Sequence, residues 1–266
     1  MKTKKWQAIG VLLLFAGISA LPLPARERVI LNKNISITSL GHAFVKIVTP
    51  EGKVLLIDPW MKNPKFPPNT KIDRADVILI THGHFDHLGQ AAELAQKTQA
   101  KIVCIFEVGN YLQSRGVPAA QIIGMNKGGT VGVAGVRISM VDAVHSSGIS
   151  AGQNRIIPGG SPAGFIIRFS NGFTIYDTGD TDVFGDMAFI AKRYHPELLI
   201  LPIGGHFTMD PKWAAEACRL IKPKYVIPNH YGTFPILKGT PAELRKELRD
   251  HPEIRIIELK PGETVK

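Results

Sequence analysis

The run Thr81-His82-Gly83-His84-Phe85-Asp86-His87-Leu88 sets four potential metal donors within six residues, in the order H-x-H-x-D-H. With nine histidines and eleven aspartates in 266 residues, random placement yields this pattern about 4 times in ten thousand such chains. Imidazole nitrogens and carboxylate oxygens without a thiolate suit zinc and admit manganese or iron. In an extended loop His82 and His84 point the same way and can take one metal together. A bend at Asp86-His87 carries the next two side chains toward a second. Asp86 could alternatively cap the helix that follows, or serve both ends.

Four donors from one turn leave a pair of metals under-coordinated, so more are expected at other strand ends. His145 follows an apolar run and the exit Asp142-Ala143-Val144. Asp180 lies in Tyr176-Asp177-Thr178-Gly179-Asp180-Thr181, and His230 in Ile227-Pro228-Asn229-His230-Tyr231. A lone histidine is more often structural, and Asp-Thr-Gly-Asp is more often simply a turn. What distinguishes these three is that each lies past the carboxyl end of an apolar run.

The elements that must position them follow from hydrophobic periodicity. Residues 35–39, 43–48 and 53–57 read as strands joined by hairpins, and 77–80 as a strand covered on both faces. Residues 90–97 have helical spacing. Further strands are expected over 101–106, 136–141, 164–169, 173–176, 198–201 and 225–227. Asp210-Pro211 opens a helix, with Asp210 as cap and Trp213, Ala217 and Leu220 as its apolar stripe. Pro241 with residues 243–250 makes another. Segments 63–70 and 146–162 suit neither element and read as binding loops. Strands with helices outside them imply one α/β layered sandwich over residues 26–266.

Residues 1–25 differ in character: Lys2, Lys4 and Lys5 precede an apolar run from Ile9 to Leu23, then Pro24, Ala25 and Arg26. That is the pattern of a secretory signal, with a retained N-terminal anchor as the alternative. The expected location is therefore periplasmic or extracellular, or on a membrane if the segment is kept. Removing it takes away three lysines and no acid, lowering the formal charge from +10 to +7. The remaining basic residues are scattered, without interleaved aromatics, which argues against dedicated nucleic-acid binding and leaves an anionic or lipid-like small molecule as partner. The two cysteines, Cys104 and Cys218, sit in apolar patterns and read as free buried thiols.

Gly41-His42-Ala43, Ile57-Asp58-Pro59, the His82 to Gly89 motif, His145-Ser146-Ser147-Gly148, Gly179-Asp180-Thr181, Leu201-Pro202-Ile203-Gly204-Gly205 and His230-Tyr231-Gly232-Thr233-Phe234-Pro235 occur in the order seen in the metallo-β-lactamase superfamily. From about residue 35 to the end the chain resembles a bacterial family of metal-dependent hydrolases related to ascorbate-6-phosphate lactonase and N-acyl-phosphatidylethanolamine phospholipase D. The resemblance implies an αββα four-layer sandwich and two divalent metal ions. His82, His84 and His145 would hold one, Asp86, His87 and His230 the other, and Asp180 would bridge them. A hydroxide between the metals would attack an ester, lactone or phosphodiester, with Asp86 and Asp180 counted among the catalytic residues. His42 and Asp58 would orient metal ligands from behind, or else serve turn and surface chemistry. His206 could give a proton to the leaving group, or be only a loop histidine. A mononuclear iron oxygenase on the same fold, or a metal-binding protein without turnover, are the alternatives. Phe85 stands where relatives often carry a smaller residue, and Asp177 where a less acidic one is expected.

Overall fold

A computed structural model of the chain describes Leu31 and residues 33–266; the expected signal or anchor lies outside the described residues. In chain order the elements are β1 (Ser36–Ser39), β2 (Val45–Val48), β3 (Val54–Ile57), β4 (Val77–Ile80), α1 (Phe85–Leu88), α2 (Ala91–Thr98), β5 (Lys101–Ile105), α3 (Phe106–Ser114), β6 (Ile122–Met125), β7 (Thr130–Val133) and β8 (Val136–Asp142). There follow β9 (Gly148–Ser150), β10 (Ile156–Pro158), β11 (Ala163–Arg168), β12 (Thr174–Asp177), α4 (Met187–Tyr194), β13 (Leu198–Pro202), α5 (Pro211–Ile221), β14 (Tyr225–Asn229), α6 (Pro241–Glu247), β15 (Arg255–Ile256) and β16 (Thr264–Val265).

Two seven-stranded sheets form, ordered β16-β1-β2-β3-β4-β5-β6 and β15-β14-β13-β12-β11-β8-β7. Each begins with antiparallel hairpins and continues as parallel strands, the first sheet from β3 onward and the second from β12 onward. Parallel strands need crossovers, and helices supply them except between β3 and β4, where residues 58–76 cross without one. Side-chain alternation divides the second sheet between two cores. Phe165, Ile167, Ile175, Leu198, Ile200, Tyr225 and Ile227 pack between the sheets. Their neighbours Ile166, Tyr176, Leu199, Leu201 and Val226 pack under α4, α5 and α6. The result is the expected αββα sandwich. No helix among the described residues is long and apolar enough to cross a membrane.

Several local expectations are corrected. Residues 101–106 do not end as a strand: β5 stops at Ile105, and Phe106, 60% exposed, opens α3. Segment 146–162 is not wholly irregular, since β9 and β10 pair within it. Asp210 does cap α5 by accepting from the Trp213 amide at 3.0 Å, but the buried stripe is Ala214, Ala217, Cys218 and Ile221. Trp213 and Leu220 face outward, 49% and 36% exposed. Small residues win that face because α5 lies close against β13 and between α4 and α6. Both cysteines are free and buried, and burial pushes each thiol up to about 12.

Candidate metal centre

The loops that follow β4, β8, β12 and β14 meet at one end of the sandwich. Main-chain bonds tie them across the sheets: Ala163 N–H donates to Thr81 O at 3.0 Å, and His230 N–H to His42 O at 3.1 Å. The hairpin of β9 and β10 closes over the motif, with Gly83 N–H donating to Ser147 Oγ at 3.0 Å. A Cβ on Gly83 would lie 2.6 Å from Ile149 Cγ1, so the residue between the two histidines must be glycine for the hairpin to seat. Gly89, at φ +45°, ends α1 where a Cβ would lie 2.5 Å from Pro59 O. These two glycines explain why the motif can turn so sharply under a covering loop.

The sandwich brings all seven expected donors together. His82, His84 and His145 form one group with donor atoms within 4.8 Å of one another; Asp86, His87, His230 and His42 form a second; His82, His87 and Asp180 form a third. One oxygen, Asp180 Oδ2, lies 3.1 Å from His230 Nε2, 3.2 Å from His87 Nε2 and 3.8 Å from His145 Nε2. It thus touches members of both histidine groups.

Charge in this cluster is set by burial against neighbours. Burial alone would raise Asp180 and Asp86. The charges of His230 and His87 beside Asp180, and beside Asp86 the nearby His230 ring and the hydrogen bond from His42, hold both carboxyls well below their ordinary range. Burial works to lower His87 and His230, but the neighbouring carboxylates together outweigh it, Asp180 and Asp58 at His87 and Asp180 and Asp86 at His230, leaving His87 well above its usual value and His230 at about 9. Burial dominates at His82, which is pushed well down, and at His84 and His145 more mildly.

The donor set fits a cation. His87 Nε2 and both ring nitrogens of His230 are buried with no hydrogen-bond partner among the described residues. A buried polar atom without a partner costs on the order of 1–3 kcal/mol, and several in contact with two carboxylates make a site that positive charge stabilises. The ring orientations agree. Asp58 accepts from Thr81 N–H at 2.8 Å and from Thr81 Oγ at 2.7 Å, so the hydroxyl hydrogen is used there. Thr81 Oγ must then accept from His82 Nδ1–H at 3.0 Å, which leaves the lone pair of His82 on Nε2, facing the cluster. Asp58 Oδ2 also accepts from His87 Nδ1–H at 2.7 Å, aiming His87 Nε2 at Asp180. This carboxylate–imidazole pairing is the device that fixes tautomer and angle behind metal-binding histidines.

Asp58 sits at φ +47°, a backbone conformation that asparagine also tolerates. Asp58→Asn keeps that backbone conformation but has one acceptor oxygen where Asp58 uses two, so it weakens the support behind Thr81 and His87. Metal affinity is expected to fall by roughly 10- to 100-fold, read by competition against a chromophoric chelator. Unchanged affinity would remove Asp58 from the site.

His42 is drawn closer than the sequence suggests. Its Nε2 lies 3.0 Å from Asp86 Oδ2 and its Nδ1 2.9 Å from Thr233 Oγ1. Burial lowers it to about 4 despite Asp86, so the ring is neutral at neutral pH. A carboxylate only accepts, so Nε2 carries the hydrogen and Thr233 donates to Nδ1. His206, by contrast, is exposed, packs on Phe207 and enters none of the donor groups. Phe85 is 59% exposed and meets Trp60 edge-on at 5.5 Å. Trp60 continues to Phe234 at 5.9 Å and to His42 at 5.1 Å, forming an aromatic wall beside Asp86. Asp177 is buried: its Oδ1 accepts from Gly179 N–H at 3.0 Å and its Oδ2 has no partner among the described residues. Sequence reasoning missed the parts played by Thr81, Thr233, Trp60 and Ser147, whose residue types carry no metal signal.

An αββα sandwich with a histidine and aspartate cluster at its strand ends defines a metal-dependent hydrolase of the metallo-β-lactamase fold. The chain belongs to the beta-lactamase superfamily domain family, which it matches over residues 53–231. It is 50% identical over 240 residues to a UPF0173 metal-dependent hydrolase of Chloroflexus aurantiacus, covering 88% of this chain and 98% of the relative. A metal-dependent hydrolase of the same designation from a Roseiflexus species is 48% identical over 241 residues, with 88% and 98% covered. Among solved structures, a metallo hydrolase from the archaeon Ignicoccus hospitalis superposes with a TM-score of 0.76 at 36% identity, covering 87% of this chain and 97% of that one.

Proposed function

We propose that this hydrolase cleaves an ester, lactone or phosphodiester bond with two divalent cations, zinc first among them. His82, His84 and His145 would hold one, Asp86, His87 and His230 the other, with Asp180 between. The observation that carries this reading is Asp180 Oδ2, within 3.8 Å of imidazole nitrogens from both groups. When bound, such a pair supplies a water acidic enough to attack near neutral pH and positive charge for the oxygen under attack.

The chain's own residues do the rest. Asp86 and Asp180 are both ionised at neutral pH and can each accept a hydrogen bond from the attacking water at a carboxylate oxygen. His42, donating from Nε2, keeps Asp86 Oδ2 from rotating out of the cluster. Ser146 Oγ, 3.2 Å from His84 Nε2, steadies that ring on its outer side. Phe85 and Phe234, backed by the buried Trp60, offer an apolar surface beside Asp86, which favours a substrate with an apolar or aromatic part. No step is assigned to His206. Residues 1–25 are read as an export signal; the mass of the mature protein would show cleavage after Ala20 or Ala25, or an intact anchor.

The test is turnover of lactone, carboxylester, phosphodiester, thioester and β-lactam reporters by protein loaded separately with zinc, manganese and iron, with bound metal counted. Two metal equivalents and turnover of at least one of the first three reporters are expected. Full rate with one equivalent would overturn the two-cation reading. Oxygen uptake without hydrolysis would favour the oxygenase chemistry that the fold can also carry.

A further inference from the structure

The outer face of the second sheet carries a cavity of about 270 Å³ lined by Thr130, Arg137, Ser139, Arg168, Arg193 and Tyr194, among others. The metal centre does not use it. Arg137 lies at the start of β8 and Thr174 at the start of β12, whereas the donors His145 and Asp180 follow the far ends of those strands. The strand from Arg137 to Asp142 alone spans roughly 17 Å.

Strand register explains how three guanidinium groups come together. Arg137 pairs directly with Arg168, and Arg168 with Thr174. Ile138, Ile167 and Ile175 point into the core between the sheets, so the alternating neighbours Arg137, Arg168 and Thr174 point outward. The last turn of α4 adds Arg193. Like charges directly opposite each other on neighbouring strands repel. No carboxylate pairs with any of the three arginines among the described residues, and Arg193 only lies over the Tyr194 ring at 5.0 Å.

Two further features point the same way. Tyr194 lines the cavity, and its hydroxyl is buried with no hydrogen-bond partner among the described residues. Thr130 and Ser139 add a hydroxyl pair at 2.6 Å, one of which has a hydrogen free to turn outward. Unpaired arginine forks and idle hydroxyl donors are what a tetrahedral oxyanion takes up, because guanidinium geometry matches two of its oxygens at once. We propose that this pocket binds a phosphate group, free or esterified, at a site separate from the metal centre. The cavity is at the small end of ligand pockets, which suits a compact anion.

The test is calorimetric titration of the metal-loaded full chain with inorganic phosphate and glycerol phosphate. Co-sedimentation with phosphatidylcholine vesicles, with and without phosphatidic acid, forms a second arm. Saturable binding of one phosphate group is expected, weakened at least tenfold in Arg137→Gln and only partly in Arg137→Lys. It should persist in Asp180→Ala, which separates it from anion binding at the metal centre. Arg137→Gln should hydrolyse reporters at the wild-type rate and melt no lower than wild type, since it relieves a repulsion. Binding of the soluble compounds identifies a free ligand, and arginine-dependent binding to phosphatidic acid vesicles alone identifies a lipid headgroup; both uphold the pocket. Failure of every arm, or binding that Arg137→Gln leaves unchanged, overturns it.

Discussion

Asp180→Ala is expected to lose bound metal and to lower kcat/KM by at least about a thousandfold. One carboxylate oxygen serves several groups. Asp180 Oδ2 lies 3.1 Å from His230 Nε2 and 3.2 Å from His87 Nε2, and it also reaches His145 at 3.8 Å. Removing it takes a carboxylate donor from the middle of the cluster and leaves a gap between the donor groups on either side. His82→Ala should act similarly through a different route, because His82 belongs both to the His84 and His145 group and to the Asp180 and His87 group. Metal content by atomic emission, with reporter turnover on the same samples, checks both variants. If either keeps its full metal and full rate, the assignment fails. His206→Ala should keep its metal, since that ring stands outside every donor group.

How much of this was legible in the sequence depends on how local each feature is. His82, His84, Asp86 and His87 are set by one turn, so spacing alone groups them. His145, Asp180 and His230 come from strands far apart in the chain, and only their position past apolar runs marks them before the fold assembles them. His42 and Asp58 are harder still. Their partners, Asp86 and Thr233 for one, His87 and Thr81 for the other, lie in different loops, so the hydrogen bonds exist only in three dimensions. Fold class follows from strand periodicity, yet α5 shows its limit. Trp213 and Leu220 look like a buried stripe by residue type, but close packing against β13 selects the alanine and cysteine face instead. Two short strands in the glycine-rich segment, β9 and β10, escape prediction because three residues each are too few to show a period.

Asp177→Asn is expected to change how the metal-free protein's stability depends on pH. Burial first, then the nearby Asp58 carboxylate, raises Asp177 from 3.8 to about 7, although Gly179 N–H and the charge of His87 pull the other way. Between those two values the folded state holds a proton that the unfolded state has released. Fewer protons bound in the unfolded state means that stability falls as pH rises through this window and levels off above about 7. The cost accumulated across it is on the order of 4 kcal/mol at about 1.4 kcal/mol per pH unit. Asparagine has no such proton to lose and can keep the bond from Gly179 through its Oδ1. Its amide group introduces a constant offset at the place of the unpartnered Oδ2, so the slope is the quantity to read. Denaturant unfolding of chelator-treated wild type and variant at several pH values from 4.5 to 8.5 should show the difference in stability moving steadily in the variant's favour up to about pH 7, then staying flat. Parallel curves would mean that Asp177 is ionised in the folded chain throughout. The metal-free state is the one to use, because cations at the neighbouring cluster favour the ionised carboxyl and shrink the effect. An acidic residue beside this centre is thus held neutral by folding alone, and bound cations would favour its ionised form.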